Sequence, residues 1–238
     1  MDFIFMLTRD DRTVTDCLHV LDSVRELGIT HIGFKDVGVD TATLRRLHEQ
    51  IRALGATSHL EVVSTGRAEV LDSVRTAVDL GVDWLLGGTR IEETLALLDG
   101  TGIRYLPFAG EPTGHPTRLA GTPARIADDC RRAEAAGCAG VDLLAHRATD
   151  ADPLDLVRAA RAATAGRLVV AGSLSTPAEI RALAEVGADA FTVGSAAFAG
   201  ALRPEAGTLA AQLTAVLEAS GGRPRGGPVT GGGGRAAP

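Results

Sequence analysis

The sequence has few aromatic residues, only three cysteines, a single lysine and no long apolar run. Phe, Tyr and Trp together make up 3% of the 238 residues, and the net charge at pH 7 is −6. Such a chain has too little positive charge for a phosphate backbone and too few rings for stacking bases, which argues against nucleic-acid binding. No apolar run approaches the roughly 18 residues that a membrane-spanning helix needs, so no membrane contact is expected.

Motifs for metals and common cofactors are also missing. Cys17, Cys130 and Cys138 are odd in number and lack the spacing of metal ligands, and no HxH, HExxH or CxxC pattern occurs. A GxGxxG turn after a first strand, typical of dinucleotide sites, is absent. The N-terminus places Asp2 before a short apolar segment, unlike a secretory signal. We therefore expect a cytoplasmic protein with reduced thiols and with no metal or cofactor.

What the sequence does contain is a repeating unit: a short apolar run, a polar or glycine-rich stop, and an amphipathic helix. The runs are Phe3–Leu7, His31–Phe34, Leu60–Val63, Trp84–Leu86, Ile103–Phe108, Val141–Ala145, Leu168–Ala171 and Ala190–Val193. Eight units of about 27 residues each predict a single α/β domain, a (β/α)8 TIM barrel over residues 1–219. A doubly wound open sheet is the alternative, although such sheets more often have five or six parallel strands.

Local signals agree with this pattern. Thr176, Pro177 and Glu179 predict a capped helix start, and Thr122–Pro123 and Asp152–Pro153 repeat the cap followed by proline. Residues 220–238 are different, because eight of the last 18 residues are glycine and almost nothing there can be buried. We expect this segment to be a disordered tail.

One residue type is unusual in its number. Of the 24 basic residues, 23 are arginine and one is lysine, Lys35, at the end of the second apolar run. Lysine can lose its proton when it is desolvated and then act as a base or amine nucleophile, whereas arginine stays charged. A chance survivor of arginine-rich codon usage is the alternative. In a barrel, Lys35 would lie at the end where active sites form, which favours a functional role.

Other polar residues that follow the apolar runs are expected at the same end. The substrate-binding candidates are Thr8, Arg9, Asp36, Arg90, His115, Arg118 and Arg147. His115 and Arg118 lie in a long loop rich in Gly and Pro, which suggests a lid or an anion clamp. A plain surface loop is the alternative.

The strongest motif is a pair of Gly-Ser steps, each directly after an apolar run. Gly172–Ser173 follows the seventh run and Gly194–Ser195 the eighth. Glycine lets the backbone approach an anion, and amides and serine hydroxyls donate hydrogen bonds to it. Because phosphate sites in this fold are often built from the loops after strands 7 and 8, these four residues are predicted to bind phosphate. Two tight turns without a ligand would be the alternative.

The same region resembles the ribulose-phosphate-binding barrel superfamily. The similar segments are VVAGS at 169–173, STPAEIRALAEVGADA at 175–190 and FTVGSA at 191–196. This group includes the histidine-biosynthesis barrels, thiamine-phosphate synthase, orotidylate decarboxylase and N-acylmannosamine-phosphate epimerase. The resemblance implies the barrel and a phosphate-bearing ligand without selecting a reaction. In particular, the Asp-x-Lys-x-x-Asp motif of orotidylate decarboxylases is not kept, since Gly33 and Gly38 replace its two aspartates.

Candidate acids and bases complete the expected site. Glu61 and Asp142 lie within apolar strands, where a carboxylate is costly unless it is paired, and His146 follows the sixth run. We expect Lys35 and Glu61 to move protons in an isomerisation or epimerisation of a small phosphorylated metabolite, with Asp142 or His146 as the opposite acid or base. A structural ion pair of Lys35 with Glu61 is the alternative for those two residues.

Two other functions remain open on the sequence. In one, the enzyme is a lyase, aldolase or synthase in which Lys35 forms a Schiff base. In the other, the chain is a noncatalytic barrel that only binds a phosphorylated ligand. A homodimer is possible in each case.

Overall fold

A computed structural model describes residues 1–114 and 117–221 and contains eight parallel strands. The strands are β1 Asp2–Met6, β2 His31–Lys35, β3 Thr57–Val62, β4 Trp84–Gly87, β5 Arg104–Leu106, β6 Gly140–Leu143, β7 Arg167–Val170 and β8 Ala190–Val193. The helices are α1 Cys17–Val24, α2 Thr41–Ala53, α3 Arg67–Leu80, α4 Ile91–Leu98, α5 Pro123–Ala135, α6 Pro153–Ala163, α7 Pro177–Glu185, α8 Ser195–Phe198 and α9 Leu209–Ala219, with short 3-10 turns at Arg25–Leu27 and Ala145–Arg147.

The strands are ordered β6-β7-β8-β1-β2-β3-β4-β5 around the sheet. Hydrogen bonds between β6 and the end of β5 close the ring: the amide of Ala109 donates to the Asp142 carbonyl at 3.0 Å, and the Asp142 amide donates to the Pro107 carbonyl at 2.9 Å. The predicted (β/α)8 barrel is therefore confirmed over the open sheet. Each of the eight apolar runs contributes one strand, because a strand covered on both faces requires a nearly continuous apolar sequence.

Alternate residues of each strand face opposite sides of the sheet. One side packs against the helices and forms the larger core, while a smaller cluster fills the barrel interior, with Ile4, Met6, Leu86 and Val169 among its members. Gly33 makes room for this cluster, since a Cβ there would lie 2.1 Å from the Met6 sulfur.

The helix starts follow their predicted caps. The Thr176 hydroxyl accepts a hydrogen bond from the Glu179 amide, and the Glu179 carboxylate accepts one from the Thr176 amide, which completes a capping box. Thr122 and Asp152 cap α5 and α6 in the same way, each followed by proline. The Thr176 cap is close to the site because α7 begins at Pro177, four residues after Ser173.

Two short antiparallel hairpins extend the barrel mouth and were not predicted. Thr8–Arg9 pairs with Arg12–Thr13 after β1, and Glu111–Thr113 pairs with Arg118–Ala120 after β5. The first turn contains Asp10 and Asp11 at φ +50° and +57°. An Asn-Gly step is the usual signal for positive φ at both central residues, and this turn lacks it, so local sequence did not reveal the hairpin.

Helix α9 ends at Ala219. Most of the predicted tail, residues 222–238, and His115 of the loop after β5 lie outside the described residues. Within the part of the chain that the structure describes, no helix has the length and apolar character needed to cross a bilayer.

Candidate functional site

A cavity of about 490 Å³ opens at the carboxyl ends of the strands. Its walls come from the strand ends and loops on most sides of the ring. The charged and polar residues that line it are Thr8, Asp10, Asp11, Lys35, Glu61, Thr117, Arg118, His146, Arg147, Thr149, Ser173, Thr192 and Ser195, together with Gly172 and Gly194. The structure thus brings the predicted catalytic lysine and both Gly-Ser turns to one cavity.

Lys35 and Glu61 face the barrel interior together. They are register partners on the adjacent strands β2 and β3, and the Lys35 Nζ lies 3.2 Å from a Glu61 carboxylate oxygen. Both side chains are buried, at 4% and 7% exposure, yet both line the cavity. Because strand residues alternate between faces, a shift of one residue in either strand would have separated them.

A second carboxylate, Asp11, completes the surroundings of the lysine. Its Oδ1 lies 2.8 Å from the Lys35 Nζ, and its two oxygens accept hydrogen bonds from the two terminal nitrogens of Arg147 at 2.8 and 2.9 Å. The amide and hydroxyl of Thr117 approach the same carboxylate at 3.3 and 3.4 Å. Burial alone would raise the pKa of Asp11, but the hydrogen bonds and charges of Arg147 and Lys35 outweigh it and lower that pKa well below its usual value.

Asp11 was not among the residues predicted for the site, because after β1 only Thr8 and Arg9 were expected there. The signal available was the polar segment Thr-Arg-Asp-Asp-Arg-Thr at 8–13, directly after an apolar strand. Thr13 was missed for the same reason. Its hydroxyl donates to the Lys35 carbonyl at 2.7 Å and accepts the Lys35 amide at 2.8 Å, which ties the base of the hairpin to β2.

Asp142 lies inside the barrel near Glu61, but it does not line the cavity. Its side chain is fully buried, and neither carboxylate oxygen has a hydrogen-bond partner among the described residues. Burial, reinforced by the negative charge of Glu61, raises the pKa of Asp142 well above its usual value, against the opposing charges of Lys35 and Arg147. Asp142 is therefore a buried carboxyl group beside the cavity, in surroundings that favour its protonated form.

His146 does line the cavity, in the 3-10 turn after β6. Its Nδ1 lies 4.0 Å from the Glu179 carboxylate, and its Nε2 is buried without a hydrogen-bond partner in the described ranges. Burial is the main influence and lowers the pKa of His146, against the opposing effect of Glu179. A neutral imidazole can accept a proton near neutral pH, and the resulting imidazolium can give one back.

The two Gly-Ser turns are packed closely against cavity residues. A Cβ on Gly172, which has φ +85°, would lie 2.8 Å from the Arg147 side chain, and one on Gly194 would lie 2.9 Å from the Thr8 carbonyl oxygen. Ser173 itself has φ +59°, a rare conformation for a residue with a side chain. Ser195 begins the short helix α8, whose first amides have no partner within the helix. The glycines are thus required by packing, and both serines reach the cavity.

The remaining substrate-binding candidates divide into two groups. Thr8, Arg118 and Arg147 line the cavity, and Arg118 is exposed with no ion pair to any described residue. Three others do not line it. The Arg9 guanidinium carbon lies 5.2 Å from the centre of the Phe198 ring, and Arg90 is exposed just before α4. The Asp36 carboxylate accepts a hydrogen bond from the Ser73 hydroxyl at 2.5 Å on the outer side of β2. Asp36 follows Lys35 directly, so strand alternation turns it to the other face.

No group of three or more His, Cys, Asp or Glu side chains in the described ranges is arranged to hold a metal ion. The ion pairs that line the cavity instead join the carboxylates of Asp11 and Glu61 to the cations of Lys35 and Arg147.

Comparisons with protein families and with curated proteins find no match to this sequence. Solved structures do match in fold. A structure described as native KDPGal has a TM-score of 0.65 and 14% identity over 92% of this chain and 94% of its own. Orotidine 5′-phosphate decarboxylase from Pyrococcus horikoshii OT3 has a TM-score of 0.61 and 14% identity over 92% and 99%. N-acetylmannosamine-6-phosphate 2-epimerase from Clostridium perfringens has a TM-score of 0.61 and 10% identity over 86% and 89%.

At these identities the likeness concerns the fold alone. Two of the three are enzymes of kinds that the resemblance at strands 7 and 8 had named. The chain shares the (β/α)8 barrel architecture with these structures.

Proposed function

We propose that this chain is a (β/α)8 enzyme that isomerises or epimerises a small phosphorylated metabolite by moving a proton at a carbon next to a carbonyl group. One observation carries the proposal. The only lysine of the chain is buried against Glu61 in the same cavity that both Gly-Ser turns line. Similarity in fold to a phosphosugar epimerase and a nucleotide decarboxylase supports the same general class.

The phosphate would be held by the turns after β7 and β8. Ser173, Ser195 and the first amides of α8 would donate hydrogen bonds, and Gly172 and Gly194 would allow the close approach. Arg118 would add a positive charge at the cavity entrance. Arg147 is already engaged by Asp11, so its charge is partly neutralised.

The proton transfer would use residues on the other side of the cavity. Glu61 would remove the proton as a general base, and the Lys35 ammonium would stabilise the negative charge that develops on the carbonyl oxygen. His146, once protonated to the imidazolium, would return a proton on the opposite face, so one C–H bond breaks and one forms; solvent would then take the proton from Glu61 and reprotonate His146. Asp142, which does not reach the cavity, would influence Glu61 only through its neutral, buried carboxyl group.

A Schiff base at Lys35 is the competing chemistry. The nucleophile would be the neutral amine, which requires the ammonium to give up its proton. Asp11 and Glu61 lie within 3.2 Å of that nitrogen, and deprotonation would leave both buried carboxylates with one cationic partner fewer. This arrangement favours the proton-transfer role. Borohydride in the presence of substrate would trap a Lys35 adduct only if the Schiff base forms.

The test is isotope exchange with a panel of phosphorylated aldoses and ketoses in D2O, followed by NMR. We expect deuterium to enter at a carbon next to the carbonyl of at least one sugar. Glu61→Gln removes the base, and Lys35→Arg keeps the charge but cannot place a planar guanidinium where the ammonium lies, so each should slow this exchange by about 10²- to 10⁴-fold. Arg181→Lys, an exchange of the same two residue types on the exposed side of α7, is the control and should leave it unchanged.

Phosphate binding separates the catalytic proposal from the noncatalytic alternative. Inorganic phosphate should raise the melting temperature of both the wild type and Lys35→Arg, because the anion site does not include the lysine. A barrel that only binds its ligand would show protection by phosphate but no exchange with any sugar. Absence of both would contradict the phosphate site as well.

A further inference from the structure

The Asp11 carboxylate is bound in the way that proteins bind the carboxylate of a ligand. Arg147 contacts both oxygens, Lys35 adds an ammonium at 2.8 Å, and Thr117 adds its amide and hydroxyl. A guanidinium fork with an additional cation is among the strongest carboxylate arrangements. The Asp11 side chain is only 3% exposed, yet it borders the cavity, so this arrangement belongs to the cavity wall.

The segment that delivers Asp11 is short and carries an unfavourable turn. Only two residue pairs form the hairpin, Thr8 with Thr13 and Arg9 with Arg12. Both turn residues, Asp10 and Asp11, have positive φ, a conformation that residues with a side chain rarely adopt. Asp11 is the one buried residue of the turn, and its contacts with Lys35 and Arg147 hold the tip in place, together with a long hydrogen bond from the Asp10 amide to the Ser195 hydroxyl at 3.4 Å.

The base of the hairpin is fixed independently of Asp11. Thr13 exchanges two hydrogen bonds with the backbone of Lys35, and its amide donates to the Val37 carbonyl at 2.9 Å. The tip can therefore rotate away from the cavity without unpairing the base. Such a movement would leave the cationic groups facing the cavity.

We propose that Lys35, Arg147 and Thr117 form a carboxylate-binding subsite that Asp11 occupies in the absence of ligand. The substrate would then be a phosphorylated metabolite that also bears a carboxylate, and this carboxylate would displace Asp11. The inference rests on the proposed function for the phosphate and adds the second anionic group. The charge balance agrees with it, because the incoming carboxylate replaces one negative charge by another.

Two probes that differ at one group test the subsite: 3-phosphoglycerate, which has a carboxylate, and glycerol 3-phosphate, which has an alcohol in its place. We expect the wild-type chain to bind 3-phosphoglycerate at least about tenfold more tightly by calorimetry. Because Asp11 competes for the subsite, Asp11→Asn should tighten 3-phosphoglycerate about tenfold further and change glycerol 3-phosphate by less than about threefold. Asp11→Gly, which accepts the positive φ, is the second variant should the first fail to fold.

The matched control is Asp10→Asn, which removes one negative charge from the same turn without touching the subsite. It should tighten each probe by less than about threefold, because the lost charge lies outside the subsite and acts only through the longer-range field. Arg147→Lys keeps the charge but loses the fork, and it should reduce the preference for 3-phosphoglycerate.

Equal binding of the two probes by the wild-type chain would overturn the proposal. So would a carboxylate preference that appears only in the Asp11 variants, since Asp11 would then be a permanent part of the wall. If neither probe binds, the phosphate site has failed, and sodium acetate decides the subsite alone. Acetate that raises the melting temperature of both proteins, and that of Asp11→Gly by more than that of wild type, supports the subsite; a rise in Asp11→Gly alone, or in neither, overturns it.

Discussion

The two carboxylate oxygens of Asp142 lie in the barrel interior without a hydrogen-bond partner among the described residues, next to Glu61. Burial, together with that neighbour, raises the pKa of Asp142 well above its usual value. Asp142→Asn replaces a neutral carboxyl group by a neutral amide of nearly the same shape. We therefore expect the variant to fold, and we expect its stability to differ from wild type in a way that depends on pH.

The sign follows from proton binding. When the pKa of Asp142 is higher in the folded state than its unfolded value near 3.9, the folded state holds the proton more tightly, and the wild type loses stability as the pH rises. The loss begins near pH 4, amounts to about 1.4 kcal/mol per pH unit, and ends at the folded-state pKa. Because a typical folding free energy is only about 5–15 kcal/mol, a loss with this slope over even one or two pH units is measurable.

Urea unfolding of wild type and Asp142→Asn at pH 4, 5, 6 and 7 measures this difference directly. The free energy of unfolding of the variant should rise relative to wild type at each step. Asp129→Asn is the matched control, because Asp129 is also buried but is paired with Arg125 and Arg132. That variant should lose stability at neutral pH. A difference between Asp142→Asn and wild type that stays constant from pH 4 to 7 would refute the reasoning.

Three further predictions concern packing, a histidine and the cavity entrance. Gly172→Ala should lower the free energy of unfolding by about 1–3 kcal/mol, because the new Cβ would overlap Arg147 and the φ of this residue is positive. Gly55 also has positive φ but has no neighbour within 4 Å, so Gly55→Ala should lower that free energy by less in the same urea titration. Burial lowers the pKa of His59 well below its usual value, so wild type should lose stability as the pH falls below about 6.5, and His59→Gln should show a shallower loss between pH 6.5 and 4.5. Arg118→Ala should reduce the rise in melting temperature that inorganic phosphate produces without changing the melting temperature in its absence, and an unchanged rise would remove Arg118 from the anion site.

Strand and helix positions could be predicted because each strand is buried on both faces. Such strands must be apolar throughout, and eight apolar runs with capped helices between them leave few other architectures. The same reasoning placed Lys35 at the mouth, since the ends of parallel strands meet at one end of the barrel. Its proximity to Glu61 needed the register of β2 against β3, which the local sequence does not specify.

Asp11 and Asp36 show where this reasoning stops. Asp36 follows the lysine and was expected to bind substrate, but the alternation of the strand turns it toward Ser73. Asp11 is 24 residues from Lys35 in sequence and reaches it only through an unpredicted hairpin. Asp142 or His146 was expected to supply the opposite acid or base; Asp142 is completely buried and does not line the cavity, whereas His146 does.

The order of apolar and polar residues by itself determined which segments become strands, which become helices, and at which end of the ring the polar groups collect. These properties depend on periodicity and capping, which involve residues close in sequence. Only the tertiary structure decided which carboxylates contact Lys35 and Arg147. Those contacts depend on strand register and on the turn at Asp10 and Asp11, whose positive φ angles are stabilised by the ion pairs of the buried Asp11.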